Sequence, residues 1–237
     1  MSANPLSPSQ LGVRPTPALV QQMLIGAFGW MFAGLLLSAG VAFLVGSSVT
    51  LLTTVSEWWL ALLIGQFVLV MVISAGINKL SASAALGMFF LYAATMGLTL
   101  GVIVWAYLQT PGGSTAVASA FLSASAMFAG AALYGGVTKR DLTKLGGLLF
   151  MALIGLIVAS LVNWFLHSST VDWVISIAGV LIFVGLTAYD VQRITRGDYA
   201  AFTQSKEKAS VLAALHLYLN FINLFLFLLR IFGGNRS

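Results

Sequence analysis

Asp190 is the residue of this sequence whose position most needs a chemical explanation. The chain of 237 residues contains only six Asp and Glu, and Asp190 is the one that lies inside a long apolar stretch, about 172–194. A carboxylate at the centre of a membrane-spanning helix costs about 2.5–3.5 kcal/mol on insertion scales, so it usually faces a cavity or a polar partner. Arg193 follows one turn later, and a local pair with it is the simpler interpretation. At helical spacing, however, small and polar residues share the face of Asp190, which indicates burial against another helix. That face consists of Ser176, Gly179, Phe183, Thr187 and Asp190.

The last apolar run, "LHLYLNFINLFLFLLR" at 215–230, carries a second set of polar residues. At about 100° per residue, His216, Asn220, Asn223 and Arg230 fall within an arc of roughly 80°. This polar stripe should point into a helix bundle, because lipid offers no partner to an amide. Two interpretations remain open from the residues alone. The amides either hydrogen-bond between helices, at about 0.6 kcal/mol each on average, or line a pathway.

The composition shows what kind of protein positions these residues. Hydrophobic residues make up 59% of the chain and charged residues only 7%, against roughly 25% charged in typical soluble domains. Apolar stretches of about 20 residues are long enough to cross a bilayer as helices. We therefore predict an all-α membrane protein with seven transmembrane helices and lipid-bilayer contact. The predicted segments are about 22–46, 58–78, 84–107, 115–136, 145–166, 172–194 and 209–232.

Basic residues are concentrated in alternate connections, which predicts the orientation. Lys and Arg follow the second, fourth and sixth segments, whereas the connections after the first, third and fifth contain none. By the positive-inside tendency, the polar amino-terminal tail, residues 1–21 with Arg14, is expected in the cytoplasm. Arg230 and Arg236 do not fit, because seven crossings place them outside. A last segment that re-enters on the cytoplasmic side would remove this exception.

Several function classes are disfavoured by what the sequence lacks. Without cysteine, no disulfide or Cys-metal chemistry is available. An aspartyl intramembrane protease needs a second catalytic motif that is absent here. A serine intramembrane protease needs a Ser–His pair in a suitable sequence context, which is also absent. A retinal protein needs a Lys inside a segment, and none lies there. The net charge of +5 is spread along membrane edges, which favours lipid headgroups over nucleic acid as its partner. We expect no enzymatic activity and no cofactor.

Two carboxy-terminal motifs resemble the transmembrane Bax inhibitor motif family. They are "GLTAYDVQRI" at 185–194 and "ALHLYLNFINLFLFLLRIFGG" at 214–234. The length, the seven segments and the short polar amino terminus are similar to its bacterial branch, which implies an inner-membrane location. The resemblance further implies a central seventh helix wrapped by the other six, and a pH-sensitive leak of calcium ions. It also implies a sensor made of two aspartates, one in the sixth helix and one in the seventh, that share a proton.

The sequence departs from this family pattern at the sensor. Asp190 corresponds to the sixth-helix aspartate, but Asn220 occupies the seventh-helix position. Two close carboxylates resist joint ionisation and titrate as a pair, whereas an amide cannot ionise, so we expect weakened or absent pH gating. Gln66 similarly stands where some bacterial relatives have an acidic residue. Since calcium favours several carboxylate oxygens, Asp190 would give at most a weak and transient metal site.

The geometry of the pair is a separate question. Counted from the basic ends of the two segments at 1.5 Å per residue, Asp190 lies about 5 Å deep and Asn220 about 18 Å deep. The two side chains meet only if the last helix begins outside the membrane or the sixth helix is tilted or bent.

The expected function is therefore a calcium or cation leak channel with an altered sensor, Asp190 with Asn220. Candidate pathway-lining residues are His216, Asn223, Thr187 and Gln66. Two alternatives remain. One is a membrane interaction protein that modulates other membrane proteins without conducting ions. The other is a proton-coupled transporter, for which one intramembrane Asp near a His would serve.

Overall fold

The computed structural model describes residues 16–234, and within this range the chain is helical without strands. Seven of the helices are long and apolar enough to cross a membrane. They agree with the predicted fold class, and most extend a turn or less beyond the predicted segments. The helices are α1 (Pro17–Gly46), α2 (Val49–Glu57), α3 (Trp59–Gly76), α4 (Ala82–Leu108), α5 (Gly113–Val137), α6 (Thr143–Leu166), α7 (Ser169–Arg196), α8 (Asp198–Thr203) and α9 (Lys206–Gly233).

The amino-terminal tail ends earlier than the sequence pattern predicted, because helix α1 already begins at Pro17 and not near residue 22. Helix α1 begins at Pro17, where proline is well suited to a first helical turn, and the hydroxyl of Thr16 accepts a hydrogen bond from the Leu19 amide at 3.3 Å. Residues 17–21 of that tail are therefore helical. Residues 1–15 of the tail, including Arg14, lie outside the described residues, as does Arg236.

Two short helices, α2 and α8, were not predicted, because each is too short to give an apolar membrane signal. Helix α2 presents Leu52 and Val55, three residues apart, to Val45 at the end of α1. Helix α8 lies between two left-handed residues, Gly197 (φ 78°) and Gln204 (φ 51°), which separate it from α7 and α9.

The chain divides into two compact units, and both α7 and α9 contribute to each. One unit comprises the chain up to Ala106 together with Arg193–Tyr218, and the other comprises Tyr107–Gln192 together with the chain from Leu219 onward. In the first unit, α1 and α4 approach closely at Gly97 and Gly101. A Cβ at Gly97 would lie 2.7 Å from the carbonyl oxygen of Ser38. The sequence "GLTLG" at 97–101 is thus a small-residue packing motif, in which two glycines four residues apart allow close contact between helices.

In the second unit, glycines again mark the close contacts of α7. A Cβ at Gly135 of α5 would collide with the backbone carbonyl of Ala188. Gly146 of α6 leaves room for the ring of Tyr189, and Gly179 of α7 leaves room for the ring of Phe227 on α9. These contacts fix α7 against α5, α6 and α9, and α7 carries Asp190.

Burial differs strongly among the seven spans. In the most apolar 18-residue window of each helix, 72% of the residues of α9 are buried, compared with 11% in both α3 and α6. Large apolar side chains of α3 and α6, such as Phe67 and Phe150, are exposed and suited to lipid contact. The burial of α9 agrees with the central position that the family resemblance implies for the last helix.

Candidate functional site

Asp190 and Asn220 form the central polar contact of the second unit. The Nδ2 of Asn220 donates a hydrogen bond of 2.8 Å to Oδ2 of Asp190. Both residues are buried, with 6% and 4% of their surfaces exposed. A carboxylate at such a position is tolerated only when polar partners replace water. The geometric question posed by the sequence is therefore answered, since the two residues meet.

Helix α7 is held beside this pair by Gln192, a residue that the sequence analysis did not single out. Its Oε1 accepts a hydrogen bond from the Leu142 amide at 2.9 Å, and its Nε2 donates one to the Arg140 carbonyl at 2.7 Å. The side chain, in a residue 3% exposed, thus satisfies two backbone groups of the α5–α6 connection. The only sequence signal for this role was the position of Gln192, two residues after Asp190. Its hydrogen-bond partners lie about 50 residues away in sequence, so no local pattern reveals them.

Replacing Gln192 with Leu should destabilise the protein. The substitution removes the partners of two backbone groups, and each buried unsatisfied group costs about 1–3 kcal/mol, so we expect a loss of roughly 2–4 kcal/mol. Thermal unfolding in detergent, followed by helical circular dichroism, measures this loss. The same substitution at Gln21, an exposed residue of α1, is the control. Equal melting temperatures for the two variants would show that the Gln192 bonds do not hold α7.

Two further contacts connect α7 and α9 in the second unit. The rings of Phe183 and Phe227 stack with centroids 5.9 Å apart. At the other end of α7 from Asp190, Nη1 of Arg230 donates to Oδ1 of Asp172 at 3.3 Å. Arg230 therefore lies beside the start of α7. In the second unit α9 lies alongside α7 from Asp190 to Asp172, and Arg230 is paired with an acidic residue that the sequence predicts on the same side.

His216, a predicted pathway residue, belongs to the first unit and has a different partner. Its Nδ1 is hydrogen-bonded to the Tyr199 hydroxyl at 2.8 Å, and the Arg193 guanidinium lies 4.3 Å from the centroid of the Tyr199 ring. Tyr199, which the sequence analysis did not single out, is fully buried. Its only signal was an aromatic residue in the connection between the last two spans, which contains a second aromatic residue, Phe202.

This contact also shows why the depths of Asp190 and Asn220, each counted from the basic end of its own helix, cannot be compared directly. Tyr199 lies three residues beyond the end of α7 yet reaches a residue ten positions into α9, about 15 Å along that helix. The first turns of α9 therefore extend beyond the end of α7.

The remaining pathway candidates have partners that indicate packing. Nε2 of Gln66 donates to the Thr95 carbonyl at 2.9 Å and to the Thr99 hydroxyl at 2.7 Å, joining α3 to α4 in the first unit. Nδ2 of Asn223 donates to the Leu219 carbonyl of its own helix at 2.8 Å. The hydroxyl of Thr187, a fully buried residue, donates to the Phe183 carbonyl at 2.7 Å. The structure thus joins Asn220 to Asp190 and gives these three polar side chains separate partners.

The chemical capacity of the site follows from its atoms. Asp190 supplies carboxylate oxygens, and Asn220 supplies an amide that donates but does not titrate. Among residues 16–234, no group of three or more His, Cys, Asp or Glu is placed to hold a metal ion. One carboxylate with an amide supplies fewer hard oxygen ligands than the roughly six to eight that calcium prefers.

A seven-helix membrane bundle with a buried Asp–Asn contact between two of its helices is the class of protein that the fold and site define. The family model described as "Inhibitor of apoptosis-promoting Bax1" matches residues 20–237, and the chain belongs to this Bax inhibitor family. An inner membrane protein of Escherichia coli K12, YbhL, is 45% identical over 230 residues, covering 94% of this chain and 96% of the relative. An uncharacterized protein of Borreliella burgdorferi is 43% identical over 221 residues, covering 91% and 93%. An uncharacterized membrane protein of Streptococcus pyogenes serotype M3 is 46% identical over 170 residues, or 72% of each chain.

Proposed function

We propose that this protein is a cation leak channel, with calcium among its permeant ions, in which Asp190 is the charged group of the pathway. The observation that carries the proposal is the 2.8 Å hydrogen bond between the buried side chains of Asn220 and Asp190. It places a carboxylate among packed spanning helices, where ionisable groups typically mark ion pathways. On this proposal the protein is not an enzyme and requires no cofactor.

On this proposal, the contact between α7 and α9 at Asp190 is the closed state of the pathway. Asp190 is 6% exposed, and α7 is fastened to α9 at three levels: by Asn220, by the stacked rings of Phe183 and Phe227, and by the Arg230–Asp172 pair. Conduction then requires α7 and α9 to separate. The free-energy cost of that separation includes breaking a hydrogen bond to a charged group, which costs about 1.5–3 kcal/mol.

The altered sensor determines how this pathway responds to pH. Because Asn220 is a neutral donor, changing the pH cannot generate a charge at residue 220. The leak should therefore vary little with pH in the range where a pair of carboxylates would titrate.

We further propose that the protein lies in the bacterial inner membrane with its amino terminus in the cytoplasm. The similar protein YbhL of Escherichia coli is named as an inner membrane protein. The basic residues that follow the second, fourth and sixth spans favour this orientation. Pairing with Asp172 allows Arg230 to lie outside without contradicting it.

Neutralising Asp190 tests the proposal directly. Purified protein in liposomes with an entrapped calcium dye should leak faster than empty liposomes, and Asp190→Asn should slow the leak by at least about tenfold. A unit charge about 4 Å from a cation contributes about 4 kcal/mol at an effective dielectric constant of about 20. A neutral Asn–Asn hydrogen bond holds α7 to α9 less tightly than the charged one by only about 1–1.5 kcal/mol. The remaining difference exceeds the 1.4 kcal/mol equivalent to a factor of ten. Asn preserves the shape of Asp and can still hydrogen-bond to Asn220, so the variant removes charge while keeping the packing.

Asp141→Asn is the matched control for this measurement. Asp141 is exposed outside the spans, where its carboxylate accepts hydrogen bonds from the amide and hydroxyl of Thr143, and Asn retains that capping capacity. We expect the control to leak at the parental rate. Absence of leak above empty liposomes between about pH 5 and pH 8 would overturn the channel proposal.

A membrane interaction protein is the second candidate, and it has an observation of its own. Among the described residues, no buried side-chain nitrogen or oxygen lacks a hydrogen-bond partner, and the amide of Gln66 joins two helices. Such bonding is what a purely structural role for the polar residues requires. The liposome measurement separates the two candidates, because an interaction protein gives no leak in purified form.

A further inference from the structure

A cavity of about 510 Å³ opens in the first unit where the amino-terminal ends of three helices meet. Gln22 and Trp30 contribute from α1, Ser83 and Leu86 from α4, and Lys206 from the start of α9. These helix ends lie at the basic edge of the spans, where Lys208 also donates to the Asn78 carbonyl at 3.3 Å. The cavity therefore lies at the basic ends of these helices, where spanning helices typically meet lipid headgroups.

The walls of this cavity are divided between apolar and charged groups. Its apolar part is formed by Ile25, Trp30, Leu86 and Val211. Its charged part holds Lys206 and Glu207, whose Nζ and Oε1 atoms are 3.9 Å apart and whose side chains are 44% and 63% exposed. Nζ of Lys206 uses one donor on Gln22 Oε1 at 3.1 Å, and an ammonium group has three. Oε2 of Glu207 accepts one hydrogen bond, from Ser205 Oγ at 3.0 Å. The cavity thus combines an ammonium group with further N–H donors, an adjacent carboxylate and an apolar wall.

The neighbouring opposite charges restrict the kind of ligand. A purely anionic headgroup would meet the repulsion of the Glu207 carboxylate, and a neutral molecule would leave both charges unused. A zwitterionic headgroup with a phosphate and a primary ammonium matches both, because the phosphate can bind Lys206 and the ammonium can donate to Glu207. Choline has no N–H to donate. An acyl chain would lie along the apolar wall.

We propose that this cavity is a binding site for phosphatidylethanolamine. Lys206 binds the phosphate, Glu207 accepts from the ammonium group, and Trp30 and Leu86 contact the acyl chain. The site is separate from the proposed ion pathway, and binding can be measured without an ion gradient, so it is tested independently of conduction.

Native mass spectrometry of the full chain in detergent provides the test. Dioleoyl phosphatidylethanolamine, phosphatidylcholine and phosphatidylglycerol are added separately, and the bound fraction is titrated. We expect phosphatidylethanolamine to bind at least about fivefold more tightly than phosphatidylcholine, since it alone of these two can donate to the carboxylate. Glu207→Gln should remove this preference while leaving phosphatidylcholine binding unchanged, and Lys206→Gln should weaken both lipids.

Matched controls separate this site from general lipid adhesion. Glu57→Gln and Lys144→Gln change exposed charges elsewhere on the chain and should leave the preference intact. Ser83→Phe places a ring at the cavity wall and should weaken phosphatidylethanolamine binding without removing either charge. Equal binding of the three lipids, a preference for phosphatidylglycerol, or displacement of the lipid by inorganic phosphate alone would each overturn the proposal.

Discussion

Asn220→Asp is expected to produce a cation leak that rises steeply with pH, whereas we expect the leak of the parental protein to vary little with pH. The Asn220 nitrogen lies 2.8 Å from Asp190 Oδ2, so a carboxyl group at residue 220 would lie within hydrogen-bond distance of the first. Two carboxyl groups this close share one proton at low pH, and both resist being ionised together. At low pH the shared proton restores the hydrogen bond and keeps α7 against α9.

Raising the pH removes that proton and leaves two buried negative charges in contact. Close like charges cost several kcal/mol, and each 1.4 kcal/mol changes an equilibrium tenfold. The open population of the variant should therefore increase by at least about tenfold between about pH 5 and pH 8. Calcium-dye liposomes at fixed ionic strength measure this increase. In the same interval, thermal stability should fall with rising pH for the variant and stay nearly constant for the parent.

Two variants show whether the response belongs to the pair. Asn223→Asp adds the same charge three residues further along α9, where the native amide bonds to the Leu219 carbonyl of its own helix, and it should not produce a comparable rise. The double variant Asp190→Asn with Asn220→Asp carries one carboxylate and should lose the pH response of Asn220→Asp. A flat profile for Asn220→Asp itself would mean that separation of residues 190 and 220 does not control the leak.

The seven spans were predictable because a bilayer imposes a simple requirement on each of them separately. Every spanning helix must be long and apolar whatever its neighbours are, so composition alone locates α1, α3, α4, α5, α6, α7 and α9. The short helices α2 and α8 face no such requirement. They depend on local contacts, such as Val45 with Leu52 and Val55, which leave no signal of comparable strength.

The polar stripe of α9 shows where sequence periodicity stops being informative. It correctly groups His216, Asn220 and Asn223 on one helical face, but each has a different partner: the Tyr199 hydroxyl, the Asp190 carboxylate and a carbonyl of the same helix. Choice of partner depends on side-chain rotamers and on the offset between helices. The depths counted from the sequence could not decide whether Asp190 and Asn220 meet, for the same reason: the count assumed that α7 and α9 begin and end at a common level.

Glycines allow α7 to pack closely in the second unit, and Gly135 of α5 is the sharpest case. An added Cβ there would collide with the carbonyl oxygen of Ala188, two residues before Asp190. A backbone carbonyl cannot rotate away as a side chain can, so α5 and α7 would have to separate. Gly135→Ala should therefore cost about 3 kcal/mol or more, at or beyond the upper end of overpacking effects. A loss of this size lowers the melting temperature by roughly 6–12 °C.

Gly136→Ala supplies an internal control one residue away on the same helix. A Cβ at Gly136 would lie 3.8 Å from Val191 Cγ1, an ordinary contact, and replacing Gly by Ala in a helix interior favours the helix by about 1 kcal/mol. We expect this variant to melt at or above the parental temperature. Because displacement of Ala188 also moves Asp190, Gly135→Ala should alter calcium leak at temperatures where it is still folded, whereas Gly136→Ala should not. Equal melting temperatures for the two variants would show that the α5–α7 contact does not set the position of Asp190.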